Sequence, residues 1–134
     1  MRVQTTLILL SGFALGFAAV ADDGAEMAAA KGRVTFRLSC ASCHGQAATG
    51  DGPVAEYLKV PPANLTTLSA RNGGEFPAER VRATIDGRET VRGHGSRDMP
   101  VWGEVFTDSH GEDEANAKID ELVAFLRTIQ AKDG

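Results

Sequence analysis

This 134-residue chain has few of the side chains that carry redox, metal or hydrogen-bonding aromatic chemistry: two cysteines, one tryptophan, one tyrosine and three histidines. So small a set excludes a disulfide framework, which needs several cysteine pairs, and a four-cysteine zinc site. Basic residues are also few, 14 against 18 acidic for a net charge of −4. They are scattered rather than gathered into a stripe that tracks phosphates, which excludes nucleic acid as a partner. The 15 glycines follow no period, so collagen-like and repeat architectures are excluded as well. What remains, 43% hydrophobic and 24% charged, has the composition and length of one ordinary domain.

One long uncharged run is present, and it comes first. Val3 to Ala21 follows Arg2, carries Leu7, Ile8, Leu9, Leu10, Phe13, Leu15 and Phe17, and closes on Ala19-Val20-Ala21 before Asp22 and Asp23. A basic start, a short apolar middle and an A-x-A end predict a cleaved secretory signal over residues 1–21, leaving 22–134 as a single exported domain. The alternative is a retained anchor, which the many Ala, Gly and Ser residues of the run disfavour and which alone would bring the chain to a membrane. The expected location is the periplasm, where thiols do not stay free unless something uses them.

Both cysteines fall in Cys40-Ala41-Ser42-Cys43-His44. Structural zinc needs a second ligand pair, which is lacking. A thioredoxin-like redox pair needs a strand leading into the motif, whereas the preceding residues have helical spacing. A plain disulfide across so small a loop would constrain almost nothing and leaves His44 unexplained. Covalent attachment of one haem c accounts for all three residues: each sulfur joins a haem vinyl carbon and the imidazole of His44 reaches the iron.

Haem iron then has one position left. Met99, in Arg97-Asp98-Met99-Pro100-Val101-Trp102-Gly103, follows Gly93 and Gly95 in a stretch without helical period, and Pro100 pushes it toward an extended conformation that suits a thioether presented to a metal. Met99 is the expected sixth ligand, and His94 is the alternative. His110, among Asp108, Gly111, Glu112 and Asp113, reads as a solvated loop residue. Trp102 is a candidate haem cover or propionate donor through its indole N–H, with ordinary core packing as the alternative.

These residues resemble the class I monohaem c-type cytochromes of bacterial periplasms. The likeness rests on Cys40 to His44 with Gly45 after it, on Gly50-Asp51-Gly52-Pro53, on Met99-Pro100, and on Leu122-Val123-Ala124-Phe125-Leu126-Arg127. It implies the all-α cytochrome c fold, with the first and last helices crossing beside the haem and long loops wrapping it. It also implies that Pro53 is the proline whose carbonyl accepts a hydrogen bond from the proximal histidine.

Patterning supports that fold independently. Asp23 with Glu26 makes a capping-box-like start, after which Met27, Ala30, Val34 and Leu38 recur at helical spacing. Gly32 and Phe36 share another face, where a glycine lets a second helix approach closely and Phe125 is the expected partner. Ile119, Leu122, Val123, Leu126 and Ile129 form a stripe in a stretch free of Gly and Pro, an amphipathic last helix. Pro77 opens and Gly87 closes a middle helix carrying Val81 and Ile85, and Pro53 to Leu58 predicts a shorter one. The rest, including a polar insert from Thr107 to Asn116, reads as loop.

With both axial positions filled, no site is open to a substrate, and the expected function is electron transfer to transient redox partner proteins rather than catalysis. The alternatives are a cytochrome subunit of a periplasmic dehydrogenase or oxidase, or a haem enzyme or gas sensor with a labile sixth ligand and polar groups over it, for which Arg88, Arg92, His94 and Arg97 are the candidates. The acidic stretch Asp108 to Glu114 either steers a basic partner or favours the start of the last helix.

Overall fold

The computed structural model describes residues 18–88 and 99–131. Among these residues five α-helices and no strands occur: α1 (Ala18–Ser39), α2 (Ala41–His44), α3 (Ala78–Asp86), α4 (Trp102–His110) and α5 (Glu112–Thr128). Three single 3-10 turns, Ala55–Tyr57, Leu65–Thr67 and Ala70–Asn72, punctuate the long connection from α2 to α3. No helix among the described residues is long and apolar enough to cross a membrane.

The crossing of α1 and α5 organises the molecule, and Gly32 permits it. A Cβ at Gly32 would fall on the backbone carbonyl of Glu121, so the two helices touch main chain to main chain. A glycine in mid-helix ordinarily costs about 1 kcal/mol, and the close approach is what offsets it. One turn later Phe36, 1% exposed, meets Phe125 with ring centroids 5.3 Å apart and a tilt of 51°. Ile119, Leu122 and Leu126 of the predicted α5 stripe are buried, and Val123 and Ile129 are half-buried against them.

The other α1 stripe turns outward. Met27, Val34 and Leu38 are 61%, 58% and 82% exposed, and Ala30 is exposed beside them. Helical spacing marks such residues as one face but does not say which face is covered. The nearest approach of two helices is set by the smallest side chain at their crossing, and on α1 that is Gly32. The helix also already runs through Ala18 to Ala21, so Asp23 and Glu26 lie within it and do not cap it.

The middle helix matches expectation: α3 follows Pro77, buries Val81 and Ile85, and ends at Gly87, whose φ of 69° is the left-handed conformation that closes helices. The stretch from Pro53 to Leu58 contracts to the single 3-10 turn Ala55–Tyr57. The largest departure lies near the end of the chain. Trp102 and Gly103 open α4, and the polar insert forms the end of α4 and the start of α5, divided only by Gly111 at φ 87°. Glu112, Asp113 and Glu114 occupy the first turn of α5, where carboxylates oppose the positive end of the helix dipole.

Candidate haem attachment site

Cys40 to His44 form one helical turn appended to α1. The amide of Cys40 bonds to Phe36 O at 2.8 Å, and the amides of Cys43 and His44 both return to Cys40 O, at 3.2 and 2.9 Å. Residues three and four apart share a helix face, so both sulfurs and the imidazole stand on the same side. Cys40 packs against the apolar cluster that contains Phe36. Both thiols are free. Burial, with the neighbouring Cys43 adding to it, pushes the Cys40 thiol up to about 12, the opposite of what a dithiol redox pair requires.

The loop after His44 is braced on this turn. Gly50 N bonds to His44 O at 2.8 Å, Gly52 N to Cys43 O at 3.0 Å and Val54 N to Ser42 O at 2.9 Å. A Cβ at Gly52 would run into the backbone of Ala41 to Cys43, and one at Gly50, where φ is 90°, into Pro62 O. The Gly50-Asp51-Gly52 sequence is thus the means by which two backbone segments pass without side chains between them.

The imidazole of His44 is held by a residue that sequence reading missed. Its Nδ1 lies 3.0 Å from the carbonyl oxygen of Ala63, which makes that nitrogen the donor and leaves Nε2 with a lone pair for a metal. Pro53, expected to supply this carbonyl, sits exposed in the turn before Ala55–Tyr57. Ala63 is fixed from both sides: Pro61-Pro62 stiffen its approach, and beyond it Leu65 N bonds to Ala48 O at 2.8 Å. Asn64 caps the following turn by accepting from Thr66 N at 2.9 Å. The Pro61-Pro62 pair was the available signal, since it offers a second rigid carbonyl-bearing segment downstream of the histidine.

Met99 is half-buried and packs against the same apolar cluster as Cys40. Trp102, also half-buried on that cluster, stacks on Phe106 with centroids 5.4 Å apart and an interplanar angle of 29°. His94, Arg92 and Arg97 lie outside the described residues. His110 is exposed, but it ends α4 rather than lying in a loop, with Nδ1 3.8 Å from a Glu114 carboxylate oxygen.

Arg88 is not a free polar group. Its Nε and Nη2 donate to the two carboxylate oxygens of Asp86 at 2.6 and 3.0 Å, and its Nη1 donates to Glu112 at 2.7 and 2.9 Å. Hydrogen bonding from Arg88 is the main cause that holds the carboxyls of Asp86 and Glu112 below their ordinary values of 3.8 and 4.5. Groups lowered on folding stabilise fully above the ordinary value, and the contribution is lost as pH falls through the lowered one. The gap in melting temperature between the native protein and Arg88→Gln is therefore expected to be constant above about pH 5 and to shrink below it. Melting curves of both proteins from pH 3 to 7 check this; a gap that persists unchanged into acid contradicts it.

The family profile described as cytochrome C oxidase, cbb3-type, subunit III matches residues 27–126. The chain belongs to this family of c-type cytochromes. No significant match was found among curated proteins or among solved structures. The matched span includes the whole of Cys40 to His44, the Gly50 to Ala63 loop and Met99. Family membership makes this a haem-based electron-transfer cytochrome with covalently bound haem c and iron. The donor set fits that group on its own terms. Two free thiols and an imidazole with only Nε2 left to donate share one face of a single turn, so Cys40 and Cys43 would hold the macrocycle and His44 its iron.

Proposed function

We propose that this cytochrome is a periplasmic carrier of single electrons, exported by removal of residues 1–21, with one haem ligated by His44 and Met99. When bound, the haem supplies a one-electron ferric–ferrous couple. The observation that carries the reading is the 3.0 Å bond from His44 Nδ1 to Ala63 O, which fixes both the tautomer and the ring orientation of an axial ligand. The sequence contains a single Cys-x-x-Cys-His, in keeping with one haem. A half-buried Met99 on the same apolar cluster as Cys40 suits a thioether ligand, which raises the potential relative to a second histidine.

A haem enzyme or gas sensor would need polar groups poised over an open sixth position. Of the described candidates for that role, Arg88 is committed to Asp86 and Glu112. Within the acidic stretch Glu112 bonds to Arg88 and Glu114 lies 3.5 Å from Lys118. The family description favours a second reading, in which the protein acts as a subunit of an oxidase complex.

The oxidised native protein is expected to show the weak near-infrared band of sulfur-ligated ferric haem, and the reduced protein is expected to bind carbon monoxide poorly. Ready carbon monoxide binding with no such band would move the open-site reading to the front. Mass spectrometry of the protein from a periplasmic extract is expected to place the mature N-terminus at Asp22. An intact N-terminus in the membrane fraction would make the protein anchored instead, and native electrophoresis of detergent extracts separates a free carrier from an oxidase subunit.

A further inference from the structure

Three helices meet at Arg88, and one of them carries the chain away from Met99. Asp86 ends α3, Glu112 begins α5, and Arg88 bonds both. Glu112 also accepts from Thr107 of α4 at 3.2 Å and from Asn116 at 3.2 Å. Gly103, in the first turn of α4, is buried where this cluster is tightest: a Cβ there would meet an Asp86 carboxylate oxygen and Arg88 Nε. The ion pair thus forms a floor on which the N-terminus of α4 rests, and only glycine lets the helix sit so low. The Asp86 carboxylate also lies at the positive end of α4, a favourable placement.

Met99 stands four residues before Gly103, with Pro100 restricting the backbone between them. Wherever the start of α4 is seated, Met99 follows within a short, stiff reach. We infer that Arg88 is a positioning residue for the sixth haem ligand: by seating α4 through Asp86, Glu112 and Gly103, it keeps the Met99 sulfur at the iron and outside ligands away from it. This rests on Met99 being that ligand.

An external ligand binds ferric iron only in molecules where Met99 has left, so its apparent affinity scales with the population of that open state. Removing the charge-assisted hydrogen bonds of Arg88 loosens the seat, and the affinity for added imidazole is expected to rise about tenfold in Arg88→Gln. Gly103→Ala, which puts a methyl group against Asp86 and Arg88 and so parts α4 from the ion pair, is expected to move it in the same direction. Ile119→Val, a buried change in α5 that leaves the hydrogen-bonding groups of Arg88, Asp86 and Glu112 in place, lowers overall stability by about 1 kcal/mol and is expected to leave imidazole affinity unchanged.

The experiment is imidazole titration of the native holoprotein and these variants, followed by loss of the near-infrared sulfur band and set beside each melting temperature. Tightening in Arg88→Gln and Gly103→Ala, but not in Ile119→Val, supports the assignment. An unchanged affinity in Arg88→Gln, or equal tightening in Ile119→Val, overturns it with the ligand reading intact. A native protein without the band, or a band that survives Met99→Ala, overturns the ligand reading and the inference with it. Where Arg88→Gln does not accumulate with haem, Glu112→Gln carries the same comparison.

Discussion

Met99→Ala is expected to abolish the near-infrared sulfur band while leaving the haem covalently attached through Cys40 and Cys43. The reduction potential is expected to fall by on the order of 0.2 V, a fraction of the ~0.8 V over which axial ligands tune haem iron. The direction follows from the chemistry of the donor. A thioether is a soft, neutral ligand that favours the ferrous state, and water or a nitrogen base in its place favours the ferric state. The reduced variant is also expected to bind carbon monoxide readily, because a position that the native protein closes is now open. Potentiometry and carbon monoxide titration of both proteins check this. If the native protein lacks the band, and His94→Ala shifts the potential while Met99→Ala does not, the sixth ligand is His94 and the carrier works at a lower potential.

Gly32→Val is expected to be the most damaging substitution away from the haem ligands. The new side chain would meet the carbonyl of Glu121, a backbone atom that cannot rotate aside, so α1 and α5 must separate along their crossing. Separation draws Phe36 off Phe125 and opens the apolar cluster against which Cys40 and Met99 pack. Overpacking and lost burial together are expected to cost roughly 3 kcal/mol, a fall in melting temperature on the order of 10 °C. A matched change at an exposed position of the same helix, Val34→Ala, is expected to stay within about 0.5 kcal/mol. Thermal melts of the three holoproteins decide it. Similar losses at positions 32 and 34 would mean that the outward stripe of α1 is the covered one.

That contrast on α1 also marks the limit of patterning. Met27, Val34 and Leu38 look like a core face by spacing and hydrophobicity, yet all three are exposed, whereas Gly32 and Phe36 lie in the crossing. Periodicity reports which residues share a face; only the partner helix decides which face it covers. The last helix was more legible, because Ile119, Leu122 and Leu126 are the one apolar stripe it has and all three are buried. The residues of α4 were illegible for a different reason. Gly103 lowers helix propensity, and the gain that overrides it, the seat on Asp86 and Arg88, comes from another part of the chain.

The same division runs through the candidate site. Cys40, Cys43 and His44 were readable because attachment chemistry confines them to five consecutive residues, and a contiguous helical turn places them on one face whatever the rest of the chain does. Sequence by itself therefore determined the c-type haem chemistry of this protein, its helical class and the residue proposed as its proximal ligand. The tertiary structure alone decided what holds those parts in place. The carbonyl that orients His44 lies 19 residues away at Ala63 rather than at Pro53, and the carboxylate that draws Arg88 onto α5 lies 24 residues away at Glu112. Such pairings depend on how the intervening chain turns in space, and neither spacing nor residue type records that path.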